Sequence, residues 1–466
     1  MHMEYITIAH CPCRPATSTP SFLSSRRSDH RPIEPTGAHI LLFTADSGFR
    51  LPQRRFPSRG FLADQVKPAI QDGRTFVVAN ALTVNSEVSA SLWASSLPDD
   101  LVRLVASRLL AGDLLDYVRF RAVCAPRRSG TTSPHGLGIF DPRFHPRRWM
   151  MLPEGNGLYP GHPKLHGYVR FFNLDTGAFV RVHIPLFEDH CILDSYEGLL
   201  VLQRDHDTAI RLLHPFTGDI LELPPLSTLL PKIHLDYRRY RPAHRELVFL
   251  RDVSTAATFA DGVVTVMLAF TSLYRVAVAT SQDQQWTIST WFYEIGRPLL
   301  SSQGKTYLVY ETAIERTLKV FQIDTPLPND VLQPPKLIAT CAADKLREPV
   351  YFEECDSEVL VIGHHAVSDI RVYKLADLVM ERYIPVTSIG DKAILIQDRA
   401  LSVSTKASPT IPGDTIIYTA YNNLKQYHLR SGTRLPAMDQ CSFLGMEPGP
   451  CSLIQHIVTC CSRGHW

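Results

Sequence analysis

Four side chains near the C-terminus are of the types that bind zinc, namely His456, Cys460, Cys461 and His465. Zinc sites in proteins take imidazole and thiolate ligands that converge on one ion. Adjacent side chains of a strand point to opposite faces of a sheet, so the two neighbouring cysteines would diverge. A C-terminal strand with buried cysteines is therefore the preferred interpretation, and the sequence predicts no metal site.

The residues that could perform acid–base chemistry are equally sparse. Asp205-His206-Asp207 has suitable residue types, but the chain offers no nucleophile or recognisable pocket beside it, and a polar loop is predicted. His364-His365 stands where a loop is expected and is predicted to be exposed. The glycine-rich run 155–161 lacks the spacing of a phosphate-binding loop. Motifs of metalloproteases, P-loop proteins, serine hydrolases and dinucleotide-binding proteins are absent from the sequence, so we expect a non-catalytic protein without a cofactor.

Bulk composition limits the classes of partner. The 466 residues carry 48 lysines and arginines against 46 acidic residues, a net charge of +2. A balance so close to zero argues against a nucleic acid or a membrane as the main partner. Ten cysteines without a regular spacing indicate a reducing compartment, and no run is long and apolar enough to cross a bilayer. The expected location is the cytoplasm, the nucleus or both.

The first 90 residues are predicted to be a largely disordered extension. Residues 11–59 are rich in proline, serine and arginine, and few apolar residues recur at regular spacing. An organelle transit peptide is the alternative, since such peptides are rich in arginine and serine. Glu4, Asp29 and Glu34 weigh against it, because transit peptides avoid acidic residues.

Residues 93–130 have the pattern of a small helical module. Ser96-Leu97-Pro98-Asp99 has the form of a capping box at the start of a helix. Gly112 ends this helix, Asp113 can cap a second helix, and Pro126 ends the second one. The apolar residues of the first helix form one stripe at helical spacing: Leu97, Leu101, Leu104, Val105 and Leu109.

From about residue 150 the apolar period changes to two, which is typical of strands. Two strand–turn–strand segments share a Thr-Gly turn, and Thr217 follows Thr176 by 41 positions. Ser431-Gly432 is a third, weaker copy. Turns followed by pairs of short strands also recur after residues 198, 304, 357 and 414. Repeats at this interval predict the four-stranded blades of a β-propeller.

Two segments together resemble a known family of plant proteins. Leu97-Pro98-Asp99-Asp100-Leu101, continuing to Arg121-Ala122-Val123-Cys124, resembles an F-box. Residues 168–173, 194–200 and 389–396 resemble the KIB-type β-propeller that follows the F-box in such proteins. The resemblance implies an α+β multidomain chain, with an all-α F-box module at 93–130 and an all-β propeller of about six to seven blades at 150–466.

The resemblance also implies a function, namely the substrate-recognition subunit of an SCF-type ubiquitin ligase. The F-box would bind a Skp-type adaptor, and through it a cullin, while the propeller would hold an unknown target protein. The residues that match the family's adaptor-binding and module-core positions are Leu97, Pro98, Leu101, Leu104, Val105, Leu109, Val123 and Cys124. The alternative for these residues is that they only hold two helices together, although a module of roughly 35 residues cannot bury all of them alone.

Two further expectations concern the ends of these domains. The family usually has tryptophan where this chain has Arg127. This departure leaves a second hypothesis open, in which the chain is a propeller interaction protein whose degenerate F-box does not engage a ligase. At the C-terminus, residues 451–460 are predicted to form a strand that closes the ring by pairing into the blade that contains residues 168–172.

Overall fold

The structure is a computed structural model that describes a defined part of the chain. The described residues are 97–152, 167–233, 250–293, 298–312, 316–328, 330–366, 369–420, 423–435 and 457. All of them belong to the second of two compact units, Thr75–Trp466; the first is Met1–Arg74. The N-terminal extension predicted for residues 1–90 lies outside the described residues.

Three helices form a module before the strands, α1 (Asp99–Gly112), α2 (Leu114–Ala122) and α3 (Ala125–Ser129). Asp113 caps α2 as predicted, because its side chain accepts a hydrogen bond from the backbone N–H of Leu115. The capping box predicted at the start of α1 is wrong. Pro98 is the N-cap residue and makes no side-chain cap, so Asp99 is the first helical residue, too early to be the acidic partner of a capping box.

The module is held together by a small apolar core. Ala106 of α1 packs with Leu114 and Tyr117 of α2 around Phe144, which belongs to the 3-10 helix η1 (Pro142–Phe144). The rings of Tyr117 and Phe144 lie 5.9 Å apart. Phe144 is fully buried, so the segment that links the helices to the strands is part of the module's core.

Six β-sheets follow and form the blades of a propeller. In chain order their strands are β1 (Trp149–Met151), β2 (Tyr168–Asn173) and β3 (Phe179–His183) in blade 1; β4 (His190–Tyr196), β5 (Leu199–Arg204), β6 (Ala209–Leu213) and β7 (Ile220–Pro225) in blade 2; β8 (Val253–Ala260), β9 (Val263–Phe270), β10 (Arg275–Thr280) and β11 (Thr287–Ile288) in blade 3; β12 (Pro298–Ser302), β13 (Lys305–Glu311), β14 (Thr317–Asp324) and β15 (Lys336–Ala342) in blade 4; β16 (Arg347–Cys355), β17 (Glu358–Ala366) and β18 (Asp369–Lys374) in blade 5; and β19 (Lys392–Ile396), β20 (Ala400–Ser404), β21 (Thr415–Ala420), β22 (Asn423–His428) and β23 (Thr433–Leu435) in blade 6. Short helices η2 (Pro185–Glu188), η3 (Leu226–Lys232) and α4 (Leu375–Val379) lie between strands.

Neighbouring strands of each blade run antiparallel, with one exception. In blade 6 the order is β20-β19-β21-β22-β23, and β19 pairs with β21 in parallel. The six blades agree with the lower end of the predicted range of six to seven. The predicted repeats are confirmed as well, because Gly177, Gly218 and Gly432 each occupy the turn between two paired strands with a positive φ, which glycine adopts without strain.

Contacts between the innermost strands join consecutive blades. Strands β4, β8, β12, β16 and β20 follow one another around the axis. Between blades 2 and 3, Asp194 Oδ2 accepts a hydrogen bond of 2.7 Å from the backbone N–H of Thr255. The hydroxyl of Tyr196 donates to the backbone carbonyl of Ala257 at 3.1 Å. These bonds satisfy polar groups that the propeller buries near its axis.

Blades 1 and 6 meet directly and close the ring. Arg148 donates two hydrogen bonds of 2.8 Å to Asp175 and one of 3.0 Å to the backbone carbonyl of Ser402. The backbone N–H of Ser404 donates to the carbonyl of Leu174 at 2.8 Å. The predicted closing strand 451–460 lies outside the described residues except for Ile457, which has helical backbone and is buried in the apolar cluster between these two blades.

Two general properties of the described residues bear on function. None of their helices is long and apolar enough to cross a membrane. The four cysteines among them, Cys124, Cys191, Cys341 and Cys355, are free thiols, and burial raises the pKa of Cys341 to about 11. Such buried thiols act as small apolar core residues.

Candidate functional site

The first helix exposes a row of apolar side chains. Leu101 and Leu104 are 45% and 48% exposed, whereas Val102, on the side of α1 that packs into the module, is 3% exposed. Leu101, Leu104 and Val105 are three or four positions apart and so share one face of α1. This face is turned by about 100° from the side that carries Val102 and Ala106 and packs into the module. Six large apolar side chains of the module are exposed, on α1, on α2 and directly beside their ends, and we call this set the module surface: Leu97, Leu101, Leu104, Val105, Val118 and Val123.

The eight residues predicted to bind an adaptor occupy two kinds of position. Six are exposed: Leu97, Pro98, Leu101, Leu104, Val105 and Val123. Leu109, on α1, and Cys124, the N-cap residue of α3, are half-buried. Val118 was not selected from the sequence, although it is 41% exposed and belongs to the same surface. No local signal assigned it to the outer face, because Val118 follows the buried Leu114 by four positions, a spacing that predicts the same face of the helix.

Exposed charged side chains lie on the same helices as the module surface. Asp100 accepts a hydrogen bond from Arg103 at 2.6 Å, and Asp116 accepts one from Arg119 at 3.1 Å; all four side chains are exposed. An apolar centre with a polar rim is the usual composition of a protein-binding patch.

Arg127 occupies the position where the family pattern has tryptophan. It lies on α3, half-buried, with its guanidinium carbon 4.7 Å from the centroid of the Phe120 ring. Its Nε is buried and has no hydrogen-bond acceptor among the described residues. The side chain therefore covers Phe120 by a cation–π contact, which provides less apolar burial than an indole would.

The segment after the helices fastens the module to the propeller. Glu197, in the turn between β4 and β5, accepts hydrogen bonds of 3.0 Å from His145 and Arg147. Burial by itself would raise the pKa of Glu197, but these two partners hold that pKa below its ordinary value. The module therefore lies on the face of the propeller that carries the β4–β5 turn.

A cavity of about 740 Å³ lies on the propeller axis below the module. Arg399 and Asp194, from blades 6 and 2, form an ion pair of 3.1 Å across it. Glu353 of β16 is fully enclosed and accepts a hydrogen bond of 2.6 Å from the backbone N–H of Ser402. Burial raises the pKa of Glu353 to about 8. Sequence reasoning missed these residues, because they are far apart in the sequence and none belongs to a local motif.

The residues considered for catalysis or metal binding are not brought together. Asp205, His206 and Asp207 form the turn between β5 and β6, as predicted, and Arg204 pairs with Asp207. The prediction that His364 and His365 lie in an exposed loop is wrong, because both belong to β17 and are half-buried. The described residues contain no group of three or more His, Cys, Asp and Glu side chains that could hold a metal ion. The zinc-type residues 456–465 and the glycine-rich run 155–161 lie outside the described part.

Comparison with known proteins gives one family match. The model of the KIB1-4 beta-propeller matches residues 171–442, from within β2 to beyond β23. A search of curated proteins found no match.

Similar solved structures are distant. They include the crystal structure of a nidogen/laminin complex, with a TM-score of 0.27, 11% identity and coverage of 62% of this chain and 91% of that chain. Dihydro-heme d1 dehydrogenase NirN in complex with DHE has a TM-score of 0.25 and 12% identity, covering 62% of this chain and 53% of that chain. The tricorn protease has a TM-score of 0.24 and 11% identity, covering 61% and 30%.

Proposed function

Since the chain belongs to the KIB1-4 beta-propeller family, we propose that it is the substrate-recognition subunit of a Skp–cullin–F-box ubiquitin ligase. In this proposal the helical module is an F-box that binds a Skp-type adaptor, and the adaptor links it to a cullin. The propeller binds the target protein. The chain itself is non-catalytic, takes no cofactor, and works in the cytoplasm, the nucleus or both.

The module surface is the observation that carries this proposal. Six large apolar side chains are exposed on a unit of about 30 residues, while Val102 and Ala106 already fill the contact with the rest of the module. Full burial of such a side chain is worth roughly 1.5–3 kcal/mol of free energy, and the module does not gain this while the side chain stays in water. The part of this surface on α1, with Leu101, Leu104 and Val105, is suited to a helix-in-groove interface, in which a few anchors supply most of the binding energy.

The position of the module also supports a receptor role. It occupies the face that carries the β4–β5 turn, where Gly198 lies directly against the carbonyl of Pro146. The connections at the other ends of the strands, such as the turn of residues 205–208, lie on the opposite face. An adaptor bound to the module would therefore leave that opposite face accessible to a target protein.

A pull-down with a purified Skp-type adaptor tests the proposal. We expect the double variant Leu101→Asp/Leu104→Asp to lose adaptor recovery, because two carboxylates would enter the apolar interface. The matched control is Leu327→Asp/Val331→Asp, which makes the same chemical change at two exposed apolar positions of the propeller. Adaptor recovery unchanged in the module variant, or equally reduced in the control, would contradict the proposal.

A second candidate function is a propeller interaction module whose F-box no longer engages a ligase. The observation that favours it is Arg127 in its contact with Phe120, where the family pattern has tryptophan. Co-purification of the unaltered chain with a Skp-type adaptor distinguishes the two, because only the ligase subunit retains the adaptor.

A further inference from the structure

Two buried histidines fasten the linking segment, residues 130–148 between α3 and β1, to blade 2. His145 belongs to the segment, and His214 directly follows β6. Neither imidazole is exposed to solvent. A buried ring nitrogen that carries hydrogen needs an acceptor, and one that carries a lone pair needs a donor. The partners of the two nitrogens therefore indicate how many protons each ring holds.

Both ring nitrogens of His145 face groups that only accept hydrogen bonds. Nδ1 lies 3.0 Å from Oε2 of Glu197, and Nε2 lies 3.0 Å from the backbone carbonyl oxygen of Ile139. Burial alone would raise the pKa of Glu197, but its bonds with His145 and Arg147 hold that pKa below its ordinary value, so the carboxyl group is ionised at neutral pH. A neutral imidazole would set its lone pair against one of these two oxygens. His145 satisfies both partners only as the doubly protonated imidazolium.

His214 has the opposite requirement. Its Nε2 lies 3.0 Å from the backbone carbonyl oxygen of Phe144, whose side chain is part of the module's core. Its Nδ1 accepts hydrogen bonds from the backbone N–H groups of Phe216 and Thr217, at 3.3 and 3.1 Å. An imidazolium would turn an N–H against these two donors, so His214 fits its site with a single proton, on Nε2. Burial lowers the pKa of His214, and the nearby charge of His145 lowers it further, in agreement with this state.

The charges around His145 favour its imidazolium form. Its carboxylate neighbours are Glu197 of the β4–β5 turn and Asp141 at the N-cap of η1, which are 11% and 19% exposed. Each pairs with an arginine, Arg147 at 3.0 Å and Arg143 at 2.6 Å. The two arginine side chains are 51% and 71% exposed, so water screens their charges more than those of the carboxylates.

The other elements packed against the two histidines add one carboxylate. Asp219, in the β6–β7 turn, acts on His214 and also accepts two backbone N–H groups of the linking segment at 2.9 Å. Its Oδ1 lies 3.4 Å from Nδ1 of the exposed His135. From blade 3, the ring of Phe259 packs edge to face on His145 at 4.8 Å and brings no charge. The two histidines therefore share one contact region and differ in the number of protons that their partners require.

We infer that the contact between the linking segment and blade 2 is a pH-sensitive switch, closed while His145 is doubly protonated and His214 is singly protonated. At His145 the closed form binds one proton more than the open form, so a rise in pH favours opening. At His214 the closed form binds one proton fewer, so opening is favoured as the pH falls below the ordinary histidine value of 6.5. The contact is therefore tightest at an intermediate pH and loosens on both sides of it.

The switch goes beyond the proposed function and does not depend on it. It concerns how the helical module is attached to the propeller, whichever partner the module binds. Opening releases the carbonyl groups of Ile139 and Phe144 from their histidine partners, which frees the module to change its orientation. In the ligase proposal, such a change would alter the position of a bound target relative to the adaptor.

The protonation states are tested by NMR on the purified full-length chain with 15N-labelled histidine. At pH 7 we expect both ring nitrogens of His145 to have the chemical shifts of an imidazolium. His214 should show one protonated nitrogen, Nε2, and one bare nitrogen, Nδ1. The spectra of His145→Gln and His214→Gln assign the two sets of signals.

Opening is measured by hydrogen–deuterium exchange between pH 5 and pH 9, corrected for the intrinsic exchange rate at each pH. The reporters are the hydrogen-bonded amides of Gly138, Asp141 and Phe144, and the amides of β9 serve as an internal reference. We expect protection of the reporters to reach a maximum and to fall on both sides of it, by up to about tenfold per pH unit.

Two variants separate the two sides of this profile. His145→Gln removes the group that must keep a second proton, so the fall at high pH should disappear and the fall at low pH should remain. His214→Gln should do the reverse. The matched control is His206→Gln, the same substitution in an exposed turn on the opposite face, which should follow the unaltered chain.

A neutral His145 at pH 7 would overturn the inference, as would protection of the reporter amides that stays constant from pH 5 to pH 9. An unchanged profile in both histidine variants would overturn it as well. If either variant fails to fold, the NMR spectrum and the exchange profile of the unaltered chain still decide. None of these measurements uses an adaptor, so failure of the adaptor pull-down would contradict only the ligase proposal.

Discussion

The indole Nε1 of Trp149 donates a hydrogen bond of 2.8 Å to Oδ1 of Asp113. The same carboxylate oxygen accepts the backbone N–H of Leu115 at 3.2 Å and so caps α2. Burial raises the pKa of Asp113 above its ordinary value, against the effect of these two donors. One side chain therefore both starts a helix of the module and anchors that helix to the first strand of the propeller.

Asp113→Ala should loosen the module without unfolding the propeller. The substitution removes a helix cap and leaves the Trp149 N–H without its acceptor, which together cost about 2 kcal/mol. Hydrogen–deuterium exchange should then be roughly 30-fold faster in the amides of α2. Asp113→Asn is the control, because its amide oxygen can still accept both bonds. Equal exchange in Asp113→Ala and the unaltered chain would show that the anchor has no energetic role.

Gly198→Ala should destabilise the chain far more than Gly218→Ala. Both glycines have positive φ, +83° and +72°, so each substitution carries a backbone penalty of about 1–2 kcal/mol. A Cβ at Gly198 would lie 2.2 Å from the carbonyl oxygen of Pro146, whereas a Cβ at Gly218 would meet nothing within 4 Å. Urea unfolding measures the difference between the variants, which isolates the contact of the linking segment with the propeller. Equal urea midpoints for the two variants would mean that the linking segment at Pro146 can move away from residue 198 without loss of stability.

Glu353→Gln should alter how stability depends on pH. Burial raises the pKa of Glu353 to about 8, against an ordinary value of 4.5. Between these values the folded protein holds a proton that the unfolded chain releases, so this residue makes the free energy of unfolding fall as pH rises from about 5 to 8. Relative to the unaltered chain, Glu353→Gln should therefore gain stability between pH 5 and pH 8. Unfolding titrations at both pH values check this, with the exposed Glu358→Gln as control; a parallel response of the two variants would refute it.

Arg127→Trp should strengthen binding of a Skp-type adaptor. The indole would bury more apolar area against Phe120 than the guanidinium does, and it would remove the enclosed Nε that lacks an acceptor in the described part of the chain. We expect a gain of about 1–2 kcal/mol, roughly tenfold in Kd, by titration calorimetry. Arg128→Trp places the same side chain on the exposed neighbouring position and should change little. If the unaltered chain already binds at low nanomolar affinity and tryptophan adds nothing, the degenerate F-box alternative loses its main support.

Local sequence signals were sufficient for much of the secondary structure. Thr-Gly turns, the cap at Asp113 and the end of α2 before Pro126 were all predicted, because each depends on the conformational preferences of a few neighbouring residues. Blade 3 was not recognised as a repeat. Its Asp261-Gly262 turn before Val263–Phe270 is a hairpin signal, but it lacks the Thr-Gly pattern that marked blades 1 and 2.

The sequence by itself determined the order of a helical module and a β-rich repeat, and it marked the apolar stripe of α1, since these properties follow from periodicity along the chain. Only the tertiary structure decided that this stripe is exposed and that there are six blades. It alone brought Arg399 to Asp194, 205 positions away, and Tyr418 to His364. Contacts at such separation depend on how the blades close into a ring, and no local pattern encodes that closure.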